Sequence, residues 1–161
     1  MNLIAEFFVP GTPKQKGSLT VFVNPHTGGK NYTNSCKGEK DWKNKVYSVA
    51  RQHAPSQPPE CPIGVRIVFC RQKPKRLKEV EFAWHTVKPD PDKMLRSILD
   101  ALSGMYYKDD CQVAQVFAEK IYSDTPGACI FIYELENDGL YKNYWVMSPV
   151  EMLNAVRLEE E

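Results

Sequence analysis

Alternating apolar residues along the chain predict the strands of a β-sheet. Residues 3–9 form a mostly apolar run that ends at the turn signal PGTP, and residues 63–69 place an apolar side chain at every second position, as in a half-buried strand. Residues 113–122 and 128–135 predict two further strands. The turn-forming sequence DTPG separates these two, so we expect them to pair as an antiparallel hairpin.

Apolar residues recur at helical spacing in two segments. Between 39 and 53, Trp42 and Val46 belong to an apolar stripe, while the lysines lie mostly on the other faces, which is typical of a surface helix. The second helix is predicted directly after Asp90, with Pro91 at its first position.

These elements predict an α+β fold, with a small mixed or antiparallel β-sheet and two main helices packed on it. Residues 1–136 form the predicted domain, in which a short apolar run at 19–23 followed by turn residues indicates a hairpin or a mobile arm. Residues 137–161 form a predicted C-terminal extension, where SPVE precedes a short amphipathic helix.

Composition favours a globular protein of the cytoplasm. The 161 residues are 42% hydrophobic and 25% charged, within the range of folded domains. The five cysteines show neither a C-x-x-C pair nor zinc-ligand spacing, so we expect reduced thiols. The N-terminus has no signal-peptide pattern, and no apolar run approaches bilayer length, so we expect no membrane partner.

Charge is distributed unevenly along the chain. Residues 1–80 carry 14 Lys or Arg against 5 acids, and residues 81–161 carry 7 against 15. A basic half suits a polyanion and an acidic half suits cations, although a folded chain can also neutralise one half with the other.

The acids are densest between residues 88 and 110, which contain five aspartates. Asp90 and Asp92 alone are explained by helix capping and by the helix dipole. An EF-hand calcium loop is excluded because its third ligand position falls on Met94 and its turn glycine is absent.

Helical geometry favours a functional role for the cluster. Asp92, Arg96 and Asp100 follow i, i+4, i+8 spacing and share one stripe, opposite the apolar residues. Asp109 and Asp110 come directly before the next predicted strand, where the returning chain can bring a carboxylate near Asp90 and Asp92. Because clustered carboxylates repel one another, a divalent ion is expected between them, and oxygen ligands without His or Cys suit Mg²⁺, with Mn²⁺ as a possible substitute.

The sequences KPDPDKMLRSILDAL and YKDDCQV resemble the RusA family of Holliday junction resolvases of bacteria and phages. The family pattern is K-P-D-x-D-N-L-x-K-x-x-x-D-A-L followed by D-D-x-Q-V, and weaker similarity covers about residues 3–135. The resemblance implies a Mg²⁺-dependent endonuclease that acts as a homodimer and cuts two opposed strands at a four-way DNA junction, in recombination and repair.

The resemblance also implies roles for single residues. Asp90, Asp92 and Asp110 match the metal-binding and catalytic carboxylates, and Arg96 stands at the catalytic lysine. Asp100 and Asp109 match supporting positions, and Asp100 is placed to pair with Arg96 one turn away. The family asparagine is Lys93 here. Arginine keeps the positive charge but does not act as an acid or base at ordinary pH.

Basic residues around this motif are the candidate DNA contacts, because phosphate neutralisation supplies affinity through counterion release. They are Lys14, Lys16, Lys73, Lys75, Arg76, Lys78, Lys88 and Lys93. The alternative functions are a non-catalytic branched-DNA-binding protein of the same fold and a nuclease acting on flaps or forks. His85, beside the motif, is interpreted as a surface histidine without a role.

Overall fold

The strands form one mixed sheet and one separate hairpin. The computed structural model describes residues 2–17, 19–34 and 36–136. In chain order, the elements are β1 (Asn2–Pro10), β2 (Leu19–Val23), β3 (Lys30–Asn34), α1 (Glu39–Gln52), β4 (Ile63–Gln72), α2 (Pro91–Leu102), β5 (Val113–Ser123) and β6 (Gly127–Glu134), with short 3₁₀ turns at Lys75–Leu77 and Asp110–Gln112. The predicted C-terminal helix and extension lie outside the described residues.

The main sheet has the strand order β1-β6-β4-β5. Strand β6 pairs antiparallel with both β1 and β4, whereas β5 pairs parallel with β4. Strands β2 and β3 pair with each other as a hairpin. The predicted α+β fold with a small mixed sheet and two helices is therefore confirmed.

The predicted hairpin of the last two strands is wrong. Strands β5 and β6 do not pair with each other, because β4 lies between them. The chain crosses the end of β4 between Ser123 and Gly127, where Lys73 donates its backbone N–H to the Ser123 carbonyl at 3.1 Å. The parallel pairing of β4 with β5 arises because α2 carries the chain back to the start of the sheet.

Strand β4 is buried on both faces, so the prediction of a half-buried strand is also wrong. Every residue from 63 to 70 is buried. Val65, Ile67 and Phe69 pack in the core with the two helices. On the opposite face, Val68 and Cys70 pack in a second cluster, against which Phe82 from the segment after β4 is placed.

Both helices bury one apolar stripe against the same face of the sheet. Trp42, Val46 and Ala50 from α1 enter the core with Met94 and Ile98 from α2. This fixes the roll of each helix about its axis, because the polar stripe must then face outward. No helix in the described ranges is long and apolar enough to span a membrane.

The connection from β4 through α2 to β5 separates the two ends of the acidic motif. Asp90 begins α2, and Asp110 lies just before β5, whose first residue Val113 pairs with Ile63 at the start of β4. A helix of 12 residues is about 18 Å long, so this path places the two aspartates toward different ends of α2.

Candidate nuclease site

Helix α2 presents a charged stripe away from the core, as its sequence predicts. Met94, Ile98 and Leu102 are fully buried, whereas Asp92 and Arg96 are exposed. Asp100 lies on the same stripe one turn beyond Arg96 and is partly exposed.

Asp90 occupies the N-cap position of α2 but does not cap it with its side chain. Its backbone is extended (φ −72, ψ 139), and no helix N–H donates to its carboxylate. Instead, Asp90 Oδ2 lies 3.4 Å from Lys93 Nζ. Helix capping therefore does not account for the carboxylate at this position.

An acidic cleft of about 260 Å³ lies at the end of α2. Asp100, Asp109 and Asp110 line it together with Lys43 from α1 and Ser103. Burial raises the pKa of the neighbouring Tyr107, and the charges of Asp110 and Asp100 raise that pKa further. Both carboxylates therefore act electrostatically on one phenol, which supports their convergence at this cleft.

The adjacent aspartates of this cleft differ in their hydrogen bonding. Asp109 accepts the backbone N–H of Cys111 at 3.0 Å and begins the 3₁₀ turn Asp110–Gln112. This hydrogen bond holds the pKa of Asp109 below its usual value. The turn is fixed on its other side by Gln112, whose amide donates to the carbonyls of Pro59 and Cys61 at 2.6 and 2.7 Å. Asp109 thus helps to shape the turn that carries Asp110.

The loop after β1 places Lys16 beside the charged stripe of α2. Lys16 Nζ forms an ion pair with Asp100, and the Lys16 backbone N–H donates to the Lys93 carbonyl at 2.8 Å. Gly17 N–H donates to Glu39 Oε2 at 2.8 Å, which ties the same loop to α1. We predicted an ion pair between Asp100 and Arg96. Among the ion pairs of the described residues, Asp100 pairs with Lys16 and not with Arg96.

The remaining predicted DNA contacts fall into separate groups. Lys75, Arg76 and Lys78 are exposed in and after the 3₁₀ turn that follows β4. Lys73 is less available, because its side chain is only 9% exposed and its Nζ lies 3.4 Å from Asp124. Lys14 and Lys88 line a second cleft, which also contains Arg71.

The donor set of the acidic region suits Mg²⁺, because all its candidate ligands are carboxylate oxygens. Within the described ranges, however, no three His, Cys, Asp or Glu side chains converge closely enough to form a metal site. Asp110 lines the acidic cleft with Asp100, whereas Asp90 and Asp92 do not. The ligand set Asp90, Asp92 and Asp110 stays a prediction.

Three residues that line these clefts were not among the individually predicted site residues. Lys43 and Arg71 lie far from the motif along the chain and reach the clefts only through the fold. Ser103 follows α2 directly, but one serine carries no signal.

The interpretation of His85 as a surface residue is wrong. His85 is 5% exposed, and its ring lies 4.8 Å from that of Tyr122. Its Nδ1 has no hydrogen-bond partner among the residues that the structure describes. Burial, followed by the charges of Lys120 and Arg71, lowers the pKa of His85. The ring is therefore predominantly neutral at pH 7.

Comparison with known proteins agrees with the motif. The family described as "Endodeoxyribonuclease RusA" matches residues 10–133. The chain is also 30% identical over 139 residues to "Uncharacterized protein YqaN" of Bacillus subtilis (strain 168). The aligned region covers 81% of this chain and 96% of the relative.

Proposed function

Because the chain belongs to the RusA family of endodeoxyribonucleases, we propose that it is a Mg²⁺-dependent nuclease that resolves four-way DNA junctions in recombination and repair. The supporting observation is the acidic cleft, which combines carboxylates from the end of α2 and from the turn before β5. Such a concentration of oxygen ligands beside cations suits metal-assisted phosphodiester hydrolysis.

Two ligand sets are compatible with this proposal, and Asp110 belongs to both. The family motif selects Asp90, Asp92 and Asp110, whereas the cleft brings Asp110 beside Asp100. Asp109 also lines the cleft, but its carboxylate accepts the Cys111 N–H and is assigned to neither set. Replacing Asp92 and Asp100 singly by Asn separates the two sets. If Asp92 or Asp100 binds the metal, replacing that residue raises the Mg²⁺ concentration needed for half-maximal cleavage. The variant of the other residue keeps the metal requirement of the natural protein.

A Mg²⁺ ion held by these carboxylates would polarise the scissile phosphoryl group and lower the pKa of an attacking water. Arg96 lies on the exposed stripe, so its guanidinium is available to the charge that develops on phosphorus. Lys43 faces the acidic cleft from α1 and adds a second positive charge there. Solvent water would supply the proton that the leaving 3′-oxygen needs.

The proposed DNA surface consists of the exposed basic turn at 75–78 and the cations around the start of α2. Phosphate contacts by such residues release counterions, which makes binding depend steeply on salt. A nearly flat plot of log K against log salt would exclude this role.

We further propose a homodimer, because two cuts in opposed strands require two active sites. Light scattering of the purified chain tests this directly, and a monomeric mass at micromolar concentration contradicts it.

Cleavage of labelled four-way, flap and linear DNA, each titrated with Mg²⁺ and Mn²⁺, tests the proposed reaction. We expect paired cuts in the four-way junction only when metal is present. One observation favours a non-catalytic DNA-binding protein: Lys93 and Lys16 already neutralise Asp90 and Asp100. Tight junction binding without cleavage at any metal concentration would establish that second function.

A further inference from the structure

A second cleft, of about 290 Å³, concentrates positive charge beside the start of α2. Its three charged lining residues are Lys14 from the loop after β1, Arg71 from the end of β4, and Lys88 from the turn before α2. None of its lining residues in the described part of the chain is a carboxylate. The fold thus brings together three cations that are distant in sequence.

These three cations differ from many others in the chain because no carboxylate of the described residues pairs with them. Lys16, Lys73, Lys93 and Lys108 each form an ion pair. Among the ion pairs of the described part of the chain, none involves Lys14, Arg71 or Lys88. Three cations around one small cleft repel one another, so an anion bound there would lower the free energy of the arrangement.

Arg71 is held in place although its charge is partly desolvated. It is half-buried, and its Nη1 donates to the Pro13 carbonyl at 2.9 Å. Burial lowers the pKa of Arg71, yet an arginine stays protonated in proteins. The carbonyl occupies one of the five guanidinium N–H groups, and among the described residues no second hydrogen bond of this side chain is found. A guanidinium can form a planar, two-point contact with an oxyanion.

The turn that carries Lys88 is also fixed by hydrogen bonds. Lys120 Nζ donates to the carbonyls of Val87 and Pro89 at 2.8 and 2.7 Å, so both neighbours of Lys88 are anchored to β5. Such anchoring lowers the entropic cost of holding Lys88 at the cleft.

We propose that this cleft binds one backbone phosphate of the DNA close to the cut. This inference rests on the proposed nuclease function and adds Arg71 as a positioning residue. The acidic stripe repels the DNA backbone, so a cationic anchor beside it holds the strand against that repulsion. Helix α2 is about 18 Å long and phosphates advance about 3.4 Å along the axis, so the anchored phosphate lies within about five nucleotides of the cut.

A phosphate-neutralisation scan tests the anchor. Single methylphosphonates are placed at each of five positions on either side of the cut in a four-way junction, and binding is measured without divalent metal. We expect one position to weaken binding by the natural chain about 10-fold, as for a lost charged contact. In Arg71→Gln and Lys88→Gln, neutralising that same position changes binding less than about 2-fold, because the contact is already lost.

Three controls accompany the scan. Arg51→Gln makes the same substitution at an exposed arginine near the end of α1. In this variant, we expect neutralisation of the same phosphate still to weaken binding about 10-fold. Arg71→Lys retains the charge without the planar fork and gives an intermediate result. Lys88 is exposed, so Lys88→Gln tests the anchor even if loss of the Pro13 contact unfolds Arg71→Gln.

The scan separates this inference from the proposed reaction. If the junction is bound but not cleaved, the proposed nuclease function is contradicted, while the coupling between phosphate and side chain can still be measured. If the junction is cleaved but no phosphate position is coupled to Arg71 or Lys88, the proposed phosphate anchor is contradicted and the nuclease function stands. Failure of the natural chain to bind the junction removes both.

Discussion

Replacing Asp110 by Asn gives the sharpest test of the acidic cleft, with Asp109→Asn as its matched control. The two aspartates are adjacent, exposed and on the same turn, so the substitutions alter charge and size equally. Asp110 belongs to both candidate ligand sets, whereas the Asp109 carboxylate accepts the Cys111 N–H. Asparagine also accepts such a hydrogen bond, so Asp109→Asn keeps the turn.

The expected magnitudes differ strongly between the two variants. An exposed Asp→Asn change alters the free energy of unfolding by about 0.5 kcal/mol or less. Loss of a metal ligand should lower the cleavage rate of Asp110→Asn by about 100-fold or more, which is about 2.7 kcal/mol of transition-state stabilisation. The rate of Asp109→Asn should stay within about 10-fold of the natural chain, or about 1.4 kcal/mol.

Single-turnover cleavage of a labelled four-way junction at saturating Mg²⁺ measures both rates, and thermal unfolding verifies both folds. Junction binding by Asp110→Asn should be unchanged or tighter, because one negative charge facing phosphate is gone. If folded Asp110→Asn cuts as fast as Asp109→Asn, Asp110 does not bind the catalytic metal.

Three further changes have defined outcomes. Gly127→Ala should lower the free energy of unfolding by about 1–3 kcal/mol in urea titrations, because its Cβ would lie 2.2 Å from Cζ of Phe8. Arg96→Gln should slow single-turnover cleavage by about 100-fold, and Arg96→Lys should slow it less because the charge remains; equal rates in both would exclude an electrostatic role. Burial lowers the pKa of His85, so its contribution to stability is present above the unfolded value of about 6.5 and is lost as pH falls through the lower folded value. The melting temperature of His85→Gln should therefore fall less than that of the natural chain between pH 7 and pH 5.

Helix α2 and its charged stripe were predictable because helical spacing is a local property of the sequence. The buried positions Met94, Ile98 and Leu102 lie on one face, which leaves Asp92 and Arg96 on the other. The same locality explains why the bounds of α1 agree with the apolar period.

Strand pairing was not predictable in the same way, because it depends on contacts between distant segments. The short turn before Gly127 has hairpin composition, but β4 inserts between the two strands that it joins. Because β4 is buried on both faces, the Arg66 side chain is buried as well, and it forms an ion pair with Glu119 on β5 at 2.9 Å. Nothing in the sequence around either residue predicts this pair. Lys43 and Arg71 were missed for the same reason, since nothing local marks a lysine or an arginine for a cleft.

The fold places charged residues of the two halves of the chain in two separate clefts. Lys16 and Lys43, from the basic half, reach the acidic end of α2, where they reduce the repulsion among its carboxylates. Lys14, Arg71 and Lys88 lie instead beside the start of the same helix, in a cleft that no acid of residues 2–17, 19–34 or 36–136 lines. A DNA strand that crosses α2 would thus meet the cationic cleft beside Asp90 at one end and the acidic cleft at the other. Because phosphate approaches carboxylates favourably only when a cation lies between them, this arrangement makes a divalent ion a condition for close contact at the acidic end.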